Sequence, residues 1–110
     1  MGQSLPERIV SPMTLRRAFN ESQLTAMLGD GTLTPDIRDD RELQQPESIG
    51  APPGTRSQYI RYYDAGGRWL VDVHQYRLPD GSLGASGKPD PKRMLVGEET
   101  WVADPAMEES

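Results

Sequence analysis

The chain has 110 residues, with 12 Lys and Arg against 17 Asp and Glu for a net charge of -5. Hydrophobic residues make up 35%, mean hydropathy is -0.69, and there are 11 Gly, 10 Pro and no Cys. These values point to one domain with a small core, exclude disulfides, thiolate catalysis and cysteine-ligated zinc, leave no apolar run near the roughly 20 residues of a membrane span, and disfavour the phosphate backbone of nucleic acid as a partner.

Residues 1-10 read as an extended arm whose apolar pair is Ile9-Val10. Its start, Met1-Gly2-Gln3-Ser4-Leu5-Pro6, lacks the basic and apolar regions of a secretion signal and the hydroxyl residue that myristoylation prefers at the position of Pro6. A cytoplasmic location is the expectation. Ser11-Pro12 supplies an N-cap followed by proline at the first helical position. A short helix over Met13 to Phe19 follows, with Leu15, Ala18 and Phe19 on one face. The period then calls for an apolar residue where Ser22 stands, so the phase breaks near Asn20. Asn20 and Gln23 form a capping-box pattern for a second helix, Glu21 to Leu28, that presents Leu24, Met27 and Leu28 and ends at Gly29.

Residues 29-56 read as a long acidic loop rich in Pro and Gly. Asp36, Asp39, Asp40, Glu42 and Glu47 set its charge, and Thr34-Pro35-Asp36 could cap one more helical turn. Tyr59 to Tyr63 and Trp69 to Leu78 then favour strands around the turn Asp64-Ala65-Gly66-Gly67, a β-hairpin. Alternation places Trp69, Val71 and Val73 on a core face, and Leu70, Asp72, His74 and Tyr76 on the other. A glycine-rich loop from Gly81 to Gly87 leads to Lys88, Lys92 and Arg93. Met94-Leu95-Val96 and Thr100-Trp101-Val102 are two further strands around Gly97-Glu98. Residues 104-110 form a frayed acidic tail. The expected fold is α+β: short N-terminal helices packed on a three- to four-stranded antiparallel β-meander, one domain over 11-103. Its core takes Leu15, Phe19, Leu24, Leu28, Ile60 or Tyr59, Trp69, Val71 and Val73.

Three familiar motifs fail on named positions. A phosphate loop ending at Gly87-Lys88 needs glycine at Ser82 and a hydroxyl residue at Pro89. A calcium loop with Gly31 at its sixth position would place Ala26, Leu28 and Ile37 where ligands are required. A helix-turn-helix reading from Glu21 would give a recognition helix carrying Asp36, Asp39, Asp40 and Glu42, which phosphates repel. No metal or cofactor site is indicated.

What remains is His74, the one histidine. On its strand face Asp72 could orient the imidazole and Tyr76 adds a hydroxyl, while Lys88, Lys92 and Arg93 could hold an anion nearby. If the domain were an enzyme, metal-independent ribonuclease chemistry of a toxin-like kind would use His74, Tyr76, Asp72, Lys88 and Arg93. The reading preferred is a non-enzymatic protein-interaction module (a small regulator, inhibitor or accessory subunit) that binds another protein or itself. Its aromatic sheet and acidic surface favour that role, with Asp72, His74, Tyr76, Lys88, Lys92 and Arg93 at the binding face. A third reading is an acidic decoy, the carboxylates from Asp36 to Glu47 standing in for phosphates on another protein's nucleic-acid site.

Overall fold

A computed structural model describes residues 5-84 and 87-107. The chain is α+β, with two α-helices and a six-stranded mixed sheet. In chain order it runs β1 (Glu7–Val10), α1 (Pro12–Glu21), α2 (Leu24–Asp30), β2 (Thr34–Glu42), a 3-10 turn (Pro46–Ile49), β3 (Arg56–Tyr63), β4 (Trp69–Arg77), β5 (Asp90–Val96) and β6 (Glu99–Ala103). The sheet order is β1-β6-β5-β4-β3-β2. β2 to β6 form an antiparallel meander, and β1 joins β6 in parallel. The helices therefore carry the chain from one edge of the sheet to the other. Among the described residues no helix is long and apolar enough to cross a membrane.

Helix α1 begins as its sequence dictates. Ser11 Oγ accepts from the Thr14 N–H at 3.0 Å and Pro12 fills the first turn. It buries Leu15 and Phe19 against Val71, Val73, Ile60 and Met94 of the sheet. The break before α2 is made by Ser22 and not by an Asn20 cap. Its hydroxyl donates to the Phe19 carbonyl at 2.6 Å and accepts from the Leu24 N–H at 3.1 Å. One side chain thus satisfies groups at the end of one helix and the start of the next. Gly29 lies inside α2, and Gly31, left-handed at φ 76°, is the residue that ends it.

The expected three- to four-stranded meander is two or three strands short of the six-stranded sheet. Of residues 1-10, read as an arm, 7-10 form β1, whose Val10 is buried. Ion pairs Arg93–Glu7 (2.6 Å) and Arg8–Glu99 (3.1 Å) flank it. A four-residue strand paired with residues over 90 positions away has no local signature. Of residues 29-56, read as loop, 34-42 form β2. That strand is an edge exposed on both faces, so the alternation that reveals a strand is absent. Its charges are paired along the strand, Asp36 with Arg38 at 3.0 Å and Asp39 with Arg41 at 2.6 Å. Asp40 meets Arg56 of β3 at 2.7 Å. Pro35, a bulge between Ile37 and Asp39, and this charge density all discourage a further strand from adding to the edge. The helical turn expected at Thr34-Pro35-Asp36 is part of β2. The readings placed on residues 1-4, on Ala85 and Ser86, and on 108-110 lie outside the described residues.

The core face also needs correction. Tyr63 pairs with Trp69 while Tyr62 pairs with Val71, so Leu70 is an extra residue in β4. A one-residue bulge reverses the alternation. Leu70 consequently packs on the core, and Trp69 moves to the opposite face beside Asp72. Tyr59 shares that opposite face. Leu28 is only partly buried, whereas Val10, Leu33 and Met94 complete the core.

Candidate functional site

Both α-helices pack on the face that carries Ile60, Val71 and Val73. Among the described residues no helix lies on the other face of β3 and β4. There Asp72 is fully buried, and four donors close around its carboxylate. The Tyr59 hydroxyl donates at 2.9 Å, Trp69 Nε1 at 2.7 Å, and Arg61 through Nε at 3.0 Å and one terminal nitrogen at 3.3 Å. A buried carboxylate is tolerable only when paired and hydrogen-bonded in this way. The cluster fixes three large side chains on the open face, beside Tyr63, Arg93 and Thr100, which line a shallow depression of about 290 Å³ with Glu7 and Leu5.

The Asp72 hydrogen bond holds Tyr59 in its neutral form. Burial first, then Asp72, pushes its hydroxyl up to about 12 from the ordinary 10.0. As pH rises past about 10 the unfolded chain loses this proton before the folded one. Stability present below that pH should therefore be lost through about pH 12, and Tyr59→Phe should flatten the decline in a urea-midpoint profile against pH. A wild-type profile flat over this window would contradict it.

His74 has different neighbours from those its sequence suggests. Asp72 is committed to Tyr59, Arg61 and Trp69. The His74 Nε2 is hydrogen-bonded to Ser57 Oγ of β3 at 2.7 Å, and Tyr76 stands edge-on at 4.7 Å between ring centroids. Asp90 is the β5 residue opposite His74, but its carboxylate is shared by Lys92 at 2.9 Å and Arg16 of α1 at 3.3 Å. Burial first, then the Lys92 ammonium, lowers the His74 pKa from its ordinary 6.5, with Asp90 opposing. The unfolded chain then takes up the proton first as pH falls. Stability present above about pH 6.5 should be lost as pH drops through the lowered folded value, and His74→Gln should remove that component. An imidazole NMR titration with a midpoint at or above 6.5 would refute the assignment.

A larger cleft opens where β5 begins. β4 pairs with β5 only from Val71 to His74, and a bulge at Lys92 shifts the register. Gln75 and Tyr76 thus have no β5 neighbour, and the Tyr76 carbonyl accepts instead from the Gly84 N–H at 2.8 Å. The resulting cleft of about 630 Å³ is lined by His74, Gln75, Tyr76, Lys88, Lys92 and Asp90, with Arg16 and Asn20 from α1.

No family model, curated protein or solved structure matches the chain. The geometry must therefore carry any functional reading.

It divides the residues singled out from sequence into two groups. His74, Tyr76, Lys88 and Lys92 share the cleft, whereas Asp72 and Arg93 line the depression on the open face. Arg16, Asn20, Gln75, Ser57 and Arg61 were not anticipated. Arg16 and Asn20 sit on the polar side of the α1 periodicity, a signal that marks exposure and not which strand lies beneath. Arg61 did have a signal, because it lies directly opposite Asp72 once the hairpin is closed. Among the described residues no group of His, Asp or Glu is placed to hold a metal ion.

Proposed function

We propose that the domain is a non-enzymatic protein-interaction module that binds through the open face of β3 and β4. The observation that supports this is the composition of that face. Tyr59, Arg61, Tyr63 and Trp69 are the residue types that dominate interface hot spots. Three of them are locked in place by the buried Asp72, so little rotamer entropy remains to be lost on binding. Edge β2 is guarded by charge and a bulge, which turns association toward the face.

A photo-crosslinking residue at Tyr63 tests this, with the same residue at exposed Arg17 on α1 as control. Crosslinking in the source cell should yield a discrete adduct from position 63 that is absent from position 17 and lost with Tyr59→Ala. A purified protein cross-linked only to itself would assign the face to self-association. Equal labelling from both positions would overturn the reading.

A second reading, metal-independent phosphodiester cleavage, is favoured by the gathering of His74, Tyr76, Lys88 and Lys92 in one cleft. It would use His74 without a carboxylate partner, since Asp72 serves the other site. Equal RNA cleavage by wild type and His74→Ala would dismiss it. The decoy reading has weaker support, because Asp36, Asp39 and Asp40 are each paired with an arginine.

A further inference from the structure

The protein carries a net charge of -5, yet among its described lining residues the cleft at the start of β5 gathers Arg16, Lys88 and Lys92 with one carboxylate, Asp90. His74 sits on its wall and adds a cation whenever it is protonated. A local excess of positive charge in an acidic domain selects anions at that point. The side chains come from α1, β4, β5 and the segment before β5, so the anchor points are spread around the opening and not strung along one exposed helix. Asp90 holds Arg16 and Lys92 together through separate oxygens, Oδ1 at 3.3 Å and Oδ2 at 2.9 Å. The shared carboxylate keeps the two cations side by side, and an incoming anion competes with Asp90 for both.

A second cavity, about 620 Å³, adjoins the first and shares Asn20, Gln75, Lys88 and Pro89 with it. Its character is different. Phe19, Leu28 and Tyr62 give it an apolar, partly aromatic wall beneath α2. At the junction Gln75 Nε2 donates to Gln58 Oε1 at 2.9 Å, which fixes the orientation of the Gln75 amide. The fixed amide leaves a carbonyl oxygen to accept and a second N–H to donate, and Asn20 adds another amide to the shared lining. The joint site thus has a cationic end, two amides where the cavities meet and an apolar, partly aromatic end.

We propose that the two cavities form one site for a small phosphomonoester with a planar heterocycle, the chemistry of a nucleoside monophosphate. The phosphoryl group lies among Arg16, Lys92 and His74, and the heterocycle enters the Phe19, Leu28 and Tyr62 end past Asn20 and Gln75. Tyr59, Arg61, Tyr63 and Trp69, proposed for protein binding, line neither cavity, and either proposal can fail without the other.

Isothermal titration of the intact protein with the four common ribonucleoside monophosphates, the parent nucleosides, inorganic phosphate and decanoate tests it. At least one nucleotide should bind about tenfold or more tightly than both its nucleoside and inorganic phosphate. The double substitution Arg16→Ala and Lys92→Ala should weaken that nucleotide by about tenfold or more. Leu28→Trp, which fills the apolar end, should remove the advantage of nucleotide over phosphate while sparing phosphate itself. The lone histidine is a built-in reporter, and its imidazole resonances should move with nucleotide and with phosphate. Circular dichroism checks that each variant is folded. Nucleotides no tighter than phosphate, decanoate binding in their place, or unmoved His74 resonances at saturation would each overturn the proposal.

Discussion

Asp72→Ala is expected to cost about 3–5 kcal/mol of folding stability, a large share of the ~5–15 kcal/mol available to a domain of this size. The substitution removes the acceptor for three side chains at once. Trp69 Nε1 and the Tyr59 hydroxyl lose their partner, and Arg61, whose side chain is 34% exposed, must turn to water. Arg61→Ala tests the same cluster from the other side. It leaves a carboxylate that is 1% exposed, with the Tyr59 and Trp69 donors but without its ion-pair partner, Arg93 opposite it on β5 being paired with Glu7. That too should be strongly destabilising, because an unpaired buried charge is worse than no charge. The double substitution should cost much less than the sum of the two, since the second change removes a group the first left stranded. Urea denaturation of the four proteins gives the cycle. Additive single effects would mean that the cluster is not the coupled unit that the four donor contacts imply. The comparison also bears on function. Arg61, Tyr59 and Trp69 would lose their fixed positions in the Asp72→Ala protein, so partner crosslinking through the open face should fall even where the variant remains folded.

The hairpin of β3 and β4 was legible in the sequence because its turn chemistry and β-favouring residues agree locally. The N-cap at Ser11 and the burial of Leu15, Phe19, Val71 and Val73 were legible for the same reason. Trp69 was not, since a single extra residue at Leu70 reverses the face of everything before it. No rule of alternation reveals a bulge whose cause is the partner strand. Edge β2 was hidden for a different reason. Strand patterns come from burying one face, and an edge that buries neither shows only its charges. The site was half legible. His74, Tyr76, Lys88 and Lys92 do meet, but the sequence joined Asp72 to His74 on spacing alone. In the fold that carboxylate is claimed by Tyr59, Arg61 and Trp69, which lie to one side of His74. Arg16 could not be placed at the cleft before the position of α1 over β5 was known.

The second large effect is expected at Phe19, which is 2% exposed and joins the helices to the sheet. Phe19→Ala should cost about 3–5 kcal/mol through lost burial and the void left behind. Little in α2 can compensate. The helix has seven residues, contains Gly29 and is capped at its start by the Ser22 hydroxyl and not by its N-cap residue Gln23, so its stability comes chiefly from packing. The Phe19 side chain supports it through the core that Leu24, Met27 and Leu28 of α2 join. Hydrogen exchange should show α2 amides losing protection before those of β3 and β4. Phe19→Leu should recover most of the stability, because it restores apolar volume without the ring. The same pair separates packing from recognition, since Phe19 also walls the apolar cavity beneath α2. If a flat heterocycle lies there, Phe19→Leu should weaken nucleotide relative to inorganic phosphate while the protein stays folded. A core role alone would leave that ratio unchanged, and equal loss of stability in Phe19→Ala and Phe19→Leu would show that the ring's shape, and not its burial, holds α1 and α2 to the sheet.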